Sequence, residues 1–315
     1  MEQRTLGKSG LKVSVVGLGC SNFGGLLDLE ASRKVIHKAL DLGITFFDTA
    51  DVYGKFSGSE IYLGLSLGNR RKDIVLATKF GKAMDKVEMK KGASRRHIMS
   101  AIEESLSRLK TDWIDLYQLH VPDPLTPIEE TLRALEDLIR QGKIRYIGCS
   151  QFLAWRIVEA QWTSRHHGFN AFVSCQYEYN LLKRGLERDL APVMRAYGLG
   201  LLPYFPLASG LLTGKYKRNT AMPEGARLTD NQRYASRYLN DTNWAIVERL
   251  DKFCNERGHS LLELAFSWMA ANPLVSSVMA GATKPEQLEL NVRAAEWSLT
   301  AGDMAEIERL TQRTQ

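Results

Sequence analysis

A closed (β/α)8 (TIM) barrel is the fold this sequence predicts, and three observations predict it. Eight short apolar, β-rich runs recur along the chain, amphipathic segments of helical period lie between them, and the runs are continuously apolar rather than alternating. Strands covered on both faces have that character, and eight strand–helix units are what closes a parallel sheet on itself. The runs are Val13–Gly19, Ile44–Asp48, Asp73–Lys79, Ile114–His120, Ile144–Ser150, Phe172–Glu178, Leu199–Tyr204 and Val275–Gly281. Helical segments include EASRKVIHKALDLG, with Val35, Ile36, Ala39 and Leu40 on one face, then SRRHIMSAIEESLSRLK, TPIEETLRALEDLIRQGK and ERDLAPVMRAYG. A doubly wound sheet is the rival, but its GxGxxG fingerprint is missing: VVGLGCSNFGG places Gly17, Gly19, Gly24 and Gly25 at other spacings.

Residues 1–315 are therefore expected to form a single barrel domain. Ser9-Gly10, between short alternating runs, predicts a two-residue hairpin turn ahead of the first barrel strand, capping the barrel's bottom. The long polar stretch from Ala208 to Asp241 follows the seventh strand, which puts it on the rim where the strands end. It is expected to close over a cofactor or to join an oligomer contact.

Composition bounds the partners. The chain has 315 residues, 44% of them hydrophobic, enough for a full core. Its formal charge of +6 comes from Lys and Arg dispersed among Asp and Glu, without a basic run, which argues against nucleic acid. Neither a leader-like apolar segment nor a run of about 18 apolar residues is present, so a cytoplasmic protein without a membrane partner is expected. Cys20, Cys149, Cys175 and Cys254 are far apart and read as reduced packing residues; His166 and His167 read as solvated; no metal is expected.

Active sites of such barrels lie at the C-terminal ends of the strands, so the residues that close each run carry the information. Asp48 closes the second run, Tyr53 sits in the turn after it, Lys79 closes the third and His120 the fourth. Each alone has an ordinary structural role: a cap, a packing aromatic, a snorkelling lysine, a satisfied histidine. Together at neighbouring strand ends they suit carbonyl reduction. Lys79 would lower the Tyr53 pKa, Asp48 would hold Lys79 charged, and His120 would orient a substrate oxygen. Asp51 is expected to shape the turn.

The motifs RTLGKSGLKVSVVGLG, FDTADVYG, LATK, DLYQLHVPDPLTPIEETL, GKIRYIGCS, QYEYNLL, PLASGLLTGKY and GATKPEQLELN resemble the aldo-keto reductases over nearly the whole chain. The closest pattern is the branch that includes bacterial members and potassium-channel β-subunits. The resemblance implies reduction of aldehydes or ketones with NADPH, in preference to NADH, bound across the barrel. It places a catalytic tetrad on Asp48, Tyr53, Lys79 and His120, with Tyr53 as general acid.

It also places the cofactor. Ser150 and Gln176 match contacts to the nicotinamide carboxamide, with Gln151 standing where Asn is usual. Tyr204 matches the aromatic that stacks on the nicotinamide, in the segment Tyr204, Phe205, Pro206. Leu207, Ser209, Gly210 and Leu212 match the pyrophosphate loop, and Lys215 and Arg227 the basic pair around the phosphates. Gly281, Ala282, Thr283, Lys284, Gln287 and Asn291 match the adenosine end, where the family commonly carries Arg at 287 and Glu at 290. Phe23, Val121, Pro122 and Trp297 are the candidates for lining the pocket of a small-molecule carbonyl substrate. Two other readings are weighed: a cofactor-holding sensor or regulatory subunit with slow turnover, and an aldolase using Lys79 as Schiff base. Asp48 opposes the second, because it raises rather than lowers the lysine pKa. Oligomeric state and the physiological substrate stay open.

Overall fold

The computed structural model describes residues 1–84 and 90–312, apart from the side chain of Phe56. Two strands form a hairpin, β1 (Gln3–Thr5) and β2 (Lys12–Ser14). Eight parallel strands follow: β3 (Val16–Gly19), β4 (Phe46–Asp48), β5 (Val75–Phe80), β6 (Ile114–Leu119), β7 (Ile144–Ser150), β8 (Ser174–Glu178), β9 (Gly200–Tyr204) and β10 (Val278–Gly281). Their spatial order is β10-β3-β4-β5-β6-β7-β8-β9, and a parallel bridge from Leu201 to Val275 joins the two ends of the sheet. This is the expected (β/α)8 barrel. No helix of the described residues is long and apolar enough to cross a membrane.

The first apolar run is divided differently from its sequence reading. Val13–Gly19 is one run in the sequence but serves two sheets: Val13 pairs with Arg4 in the hairpin, whereas Val16 pairs with Val278 in the barrel. The change occurs at Val15, whose N–H donates to Glu2 O at 3.0 Å. The hairpin turn is also longer than two residues. Thr5 pairs with Lys12, and the six-residue loop between them is closed by Leu6 N–H to Leu11 O at 2.8 Å and by Ser9 Oγ donating to Leu6 O. Ser9-Gly10 is only the tip of that loop.

Strand alternation then sorts side chains into two compartments. On β4, Phe46 points into the barrel, Phe47 outward to the helices and Asp48 inward again. On β5 the inward residues are Ala77 and Lys79, and on β6 they are Leu116 and Gln118. At the bottom, Leu6 and Val13 of the hairpin pack on Phe46, Ala77, Leu116, Leu202 and Met279, filling the interior with apolar volume. One level up the interior is polar.

Outside the barrel lie α1 (Leu29–Asp41), α2 (Gly58–Leu67), α3 (Arg95–Leu109), which packs on β5, and α4 (Ile128–Arg140), which packs on β7. Asp28 caps α1 by accepting from Ala31 N–H, and Ser94 caps α3. In α4, Leu132, Leu135 and Leu138 bury one face, each worth roughly 2 kcal/mol of transfer free energy. The wall is completed by α5 (Ala154–His167), α6 (Leu186–Tyr197), α7 (Arg227–Asp230), α8 (Gln232–Tyr238), α9 (Asp241–Asn255), α10 (Leu261–Ala271), α11 (Pro285–Arg293) and α12 (Ala301–Thr311). Two of these, α7 and α8, lie in the long stretch after β9.

Where α2 crosses α3, Gly64 brings the two backbones together: a Cβ there would stand 2.3 Å from Arg108 O and 2.8 Å from the Leu109 carbonyl carbon. Backbone cannot yield as a side-chain tip does, so Gly64→Ala should lower stability by about 1–3 kcal/mol. Urea melts check this, and an unchanged midpoint would show that the crossing is loose.

Candidate active site

Asp48 ends β4 with its side chain directed into the upper interior, and Lys79 on β5 meets it there. Lys79 Nζ donates to Asp48 Oδ2 at 2.6 Å and to Thr49 O at 2.8 Å. Both side chains are out of water, with exposures of 0% for Lys79 and 6% for Asp48. The other carboxylate oxygen, Oδ1, accepts from Gln118 Nε2 at 2.9 Å and Gln176 Nε2 at 3.0 Å. An ammonium has three N–H groups, and two are spent. Tyr53 lies beside the third: Lys79 Nζ is 4.8 Å from its ring centroid. His120 completes the group edge-on to Tyr53, centroid to centroid 5.6 Å at 86°. The four residues that the sequence suggested are therefore brought together.

Their electrostatics divide the roles. Burial by itself pulls the Lys79 pKa down, but Asp48 and Tyr53 together outweigh it and leave it above the ordinary lysine value. Tyr53 departs from expectation. Lys79 does favour its tyrosinate form, yet burial is the larger effect, and the phenol is raised rather than lowered. His120 is pushed down to about 2 by burial and by the cations Lys79 and Lys82, so it is a neutral imidazole at working pH. Its Nδ1 is buried without a hydrogen-bond partner.

Around this centre the residues present suit a dinucleotide. Ser150 pairs in register with Gln176, and its Oγ is fully buried and unpartnered. Tyr204 is half-buried and packs edge-on to Phe205, which packs edge-on to Tyr234 of α8. Pro206 is buried, and Leu207 opens a turn in which Ala208, Ser209 and Gly210 all take positive φ (48°, 58° and 101°). The turn is closed on itself: Ala208 N–H donates to Phe205 O at 2.9 Å, and Gly210 and Leu212 N–H both donate to Leu207 O, at 2.8 and 3.2 Å. Ser209 Oγ is another buried, unpartnered hydroxyl there, and Lys215 lies against Gly210. Burial and the charge of Arg227 lower the Lys215 pKa, so two cations converge on one place. Leu212 is wholly buried, and its N–H is taken by Leu207 O.

At the far end, Gly281 is exposed, Ala282 and Asn291 are buried, and Lys284 is exposed at the start of α11. Gln287 turns to its own helix, accepting from Thr283 N–H at 2.7 Å and Thr283 Oγ1 at 3.2 Å. Gln151 is exposed at φ 60°, a region that Asn tolerates better, and its Nε2 donates to His120 O at 3.4 Å.

Two candidate pocket residues are engaged elsewhere. Phe23 has no exposed surface and packs into the outer core. Trp297 stacks on His259 at 3.9 Å and on Phe253 of α9 at 6.1 Å. Val121 and Pro122 do follow His120 directly and are half-buried. Two polar residues were not singled out from sequence. Gln118 was hidden in an apolar run, though it shares the inward two-residue spacing of Leu116 and His120. Asn22 ties the site together, accepting from Arg227 Nη2 at 2.9 Å and donating to Ala282 O at 3.2 Å.

The sequence profile of the aldo/keto reductase family matches residues 15–312. The chain belongs to the aldo/keto reductase family. This aldo-keto reductase is 38% identical over 304 residues to a probable voltage-gated potassium channel subunit beta of Oryza sativa subsp. japonica, covering 93% of this chain and 91% of the relative. It is 33% identical over 305 residues to L-glyceraldehyde 3-phosphate reductase of Escherichia coli (strain K12), covering 93% and 87%. Aldo-keto reductase YhdN of Bacillus subtilis (strain 168) is 34% identical over 321 residues, covering 100% and 95%. Relatives named as oxidoreductases, with the family match, make this aldo-keto reductase an enzyme of a family that generally uses a nicotinamide cofactor.

Behind the tetrad, Asp51 is buried with both carboxylate oxygens unpartnered, facing Glu60 and Arg108. Burial, then the charge of Glu60, raises its pKa from 3.8 to about 8. Between those values the unfolded chain is ionised and the folded one is not. Its contribution to stability is thus fully present below about pH 3.8 and is lost as pH rises through about 8. Asp51→Asn should remove this loss, so the variant's stability relative to the parent should climb steadily from pH 4 to pH 8. A difference in urea midpoint that stays flat with pH would mean that Asp51 keeps its charge when folded.

Proposed function

We propose that this protein reduces an aldehyde or ketone to an alcohol at the expense of NADPH, with Tyr53 as general acid. The observation that carries the reading is the meeting of a neutral phenol, a charged lysine and a neutral imidazole over one buried carboxylate. The nicotinamide, when bound, supplies hydride to the carbonyl carbon. The remaining work falls to the chain. His120 directs the carbonyl oxygen toward Tyr53, and the phenol gives that oxygen a proton as negative charge grows on it. A raised pKa does not prevent this, because an alkoxide is far more basic than a phenolate; it keeps the donor protonated until the charge appears. Lys79 then stabilises the tyrosinate left behind, held by Asp48.

Ser150 and Gln176 would take the nicotinamide carboxamide and Tyr204 the ring face. The turn from Leu207 to Leu212, with Lys215 and Arg227, would take the phosphates, and residues from Gly281 to Asn291 the adenosine end. Lys284, free of any ion pair among the described residues, favours the 2′-phosphate of NADPH over NADH. Val121 and Pro122 give the carbonyl compound an apolar neighbour. A slow-turnover regulatory subunit is the second reading, supported by the similarity to the Oryza relative.

Tyr53→Phe should lower kcat for carbonyl reduction about a hundredfold or more and leave NADPH affinity nearly unchanged. NADPH oxidation across a panel of aldehydes, ketones and dicarbonyls measures it. Full activity in the variant would remove Tyr53 from the mechanism, and tight NADPH binding without turnover on any substrate would favour the regulatory reading. Arg227→Ala should weaken NADPH binding about tenfold, the scale of a charge-assisted hydrogen bond. Unaltered affinity by fluorescence titration would place the phosphates elsewhere.

A further inference from the structure

We infer that Gln118 is a positioning residue that acts through Asp48 on both halves of the site, the Lys79–Tyr53 side and the Gln176 side. This rests on the nicotinamide-dependent reading above. Asp48 Oδ1 is shared by two amides, Gln118 at 2.9 Å and Gln176 at 3.0 Å, while Oδ2 belongs to Lys79 at 2.6 Å. With Gln176 alone, Oδ1 would hang on a single bond about which the carboxylate plane can tilt; Gln118, from another strand, supplies the second bond that fixes it.

The carboxylate also decides which way each amide faces. An ionised carboxylate only accepts, so it takes the NH2 end of Gln176 and turns the Gln176 oxygen away. The register partner of Gln176 on the neighbouring strand is Ser150, whose Oγ is buried and unpartnered. A primary carboxamide needs one donor for its oxygen and one acceptor for its N–H. Ser150 Oγ and Gln176 Oε1 are that pair, and Asp48 is what keeps the second one an acceptor.

Gln118 is built for the donor end alone. It is wholly buried, and its own Oε1 has no partner. Such a group is a net cost unless its other end matters. The neighbouring strand makes room for it: at Gly148, its register partner, a Cβ would stand 3.3 Å from Gln118 Cγ and 2.5 Å from Ser174 Oγ. A side chain there would crowd the stem as well as Ser174, and the amide reaches the carboxylate from a strand that carries neither Lys79 nor Gln176.

The experiment is a double-mutant cycle on Gln118 and Gln176, read twice: NADPH Kd by quenching of protein fluorescence, and kcat in the same preparations. Gln118→Met keeps the length and loses the donor. It should weaken NADPH binding about three- to tenfold and lower kcat about tenfold. In a Gln176→Leu background the effect of Gln118→Met on Kd should vanish, because its route to the cofactor is gone. Its effect on kcat should persist, because that route runs through Lys79. A residue that merely fills space would give neither the split nor the loss of effect. Gln118→Leu, which likewise lacks the donor but is shorter and stiffer, serves if the Met variant does not melt cooperatively. Parental Kd in the single variant, or effects on Kd that simply add, would overturn the inference. Failure of the parent itself to bind NADPH would overturn the cofactor reading instead.

Discussion

The ion pair between Asp48 and Lys79 is the constraint around which the upper half of the barrel is arranged. Both groups are withdrawn from water, and such a pair is tolerated only where every remaining proton and lone pair is used. Here the accounting is nearly complete: three donors on the carboxylate, two acceptors on the ammonium, and Tyr53 beside the third N–H. Removing either charge would strand the other in a cavity with low dielectric and no water to replace it. The same completeness gives the site its rigidity, since no member can turn without breaking a bond to the next.

That arrangement is affordable because the strands alternate. Phe46 and Asp48 lie on one face of β4 two residues apart, and the same is true of Ala77 and Lys79 on β5 and of Leu116 and Gln118 on β6. Each strand therefore anchors its polar inward residue on an apolar one directly beneath it. The hairpin residues Leu6 and Val13 close the bottom of that apolar layer, so water has no route to the pair from below. A stable fold and a dry polar site come from the same two-residue period.

Much of this was legible in the sequence, and the parts that were not have physical causes. Strand-closing polar residues stand out against apolar runs, which is why Asp48, Lys79 and His120 could be read as a group. Gln118 closes nothing; it interrupts a run, and only the inward direction of its neighbours marks it. Val13–Gly19 read as one strand because both of its halves are buried, in different sheets, and apolarity carries no record of which sheet. Phe23 and Trp297 are large and apolar near the right motifs, but one is absorbed by the core and the other by a stack on His259, contacts made by residues distant in sequence. The expected lowering of the Tyr53 pKa failed for a related reason: the sequence shows the neighbouring charge but not the depth of burial that outweighs it.

Charge is distributed in two zones as a result. In the reacting centre, Asp48 cancels Lys79, Tyr53 is held protonated and His120 is held neutral, so the net charge is close to zero before a substrate arrives. Positive charge is displaced outward to Lys215 and Arg227, which lie together, Arg227 being tied through Asn22 to Ala282 just beyond β10. On the proposed reading, an anionic cofactor would be drawn to the rim by long-range attraction, whereas a neutral carbonyl would not be repelled from the strand ends. If the two cations stood at the strand ends instead, they would drive the phenol toward tyrosinate and discharge the proton before hydride had anywhere to go. Separation of the zones, rather than any single pKa, is what would let one barrel mouth hold a polyanion and still keep an acid.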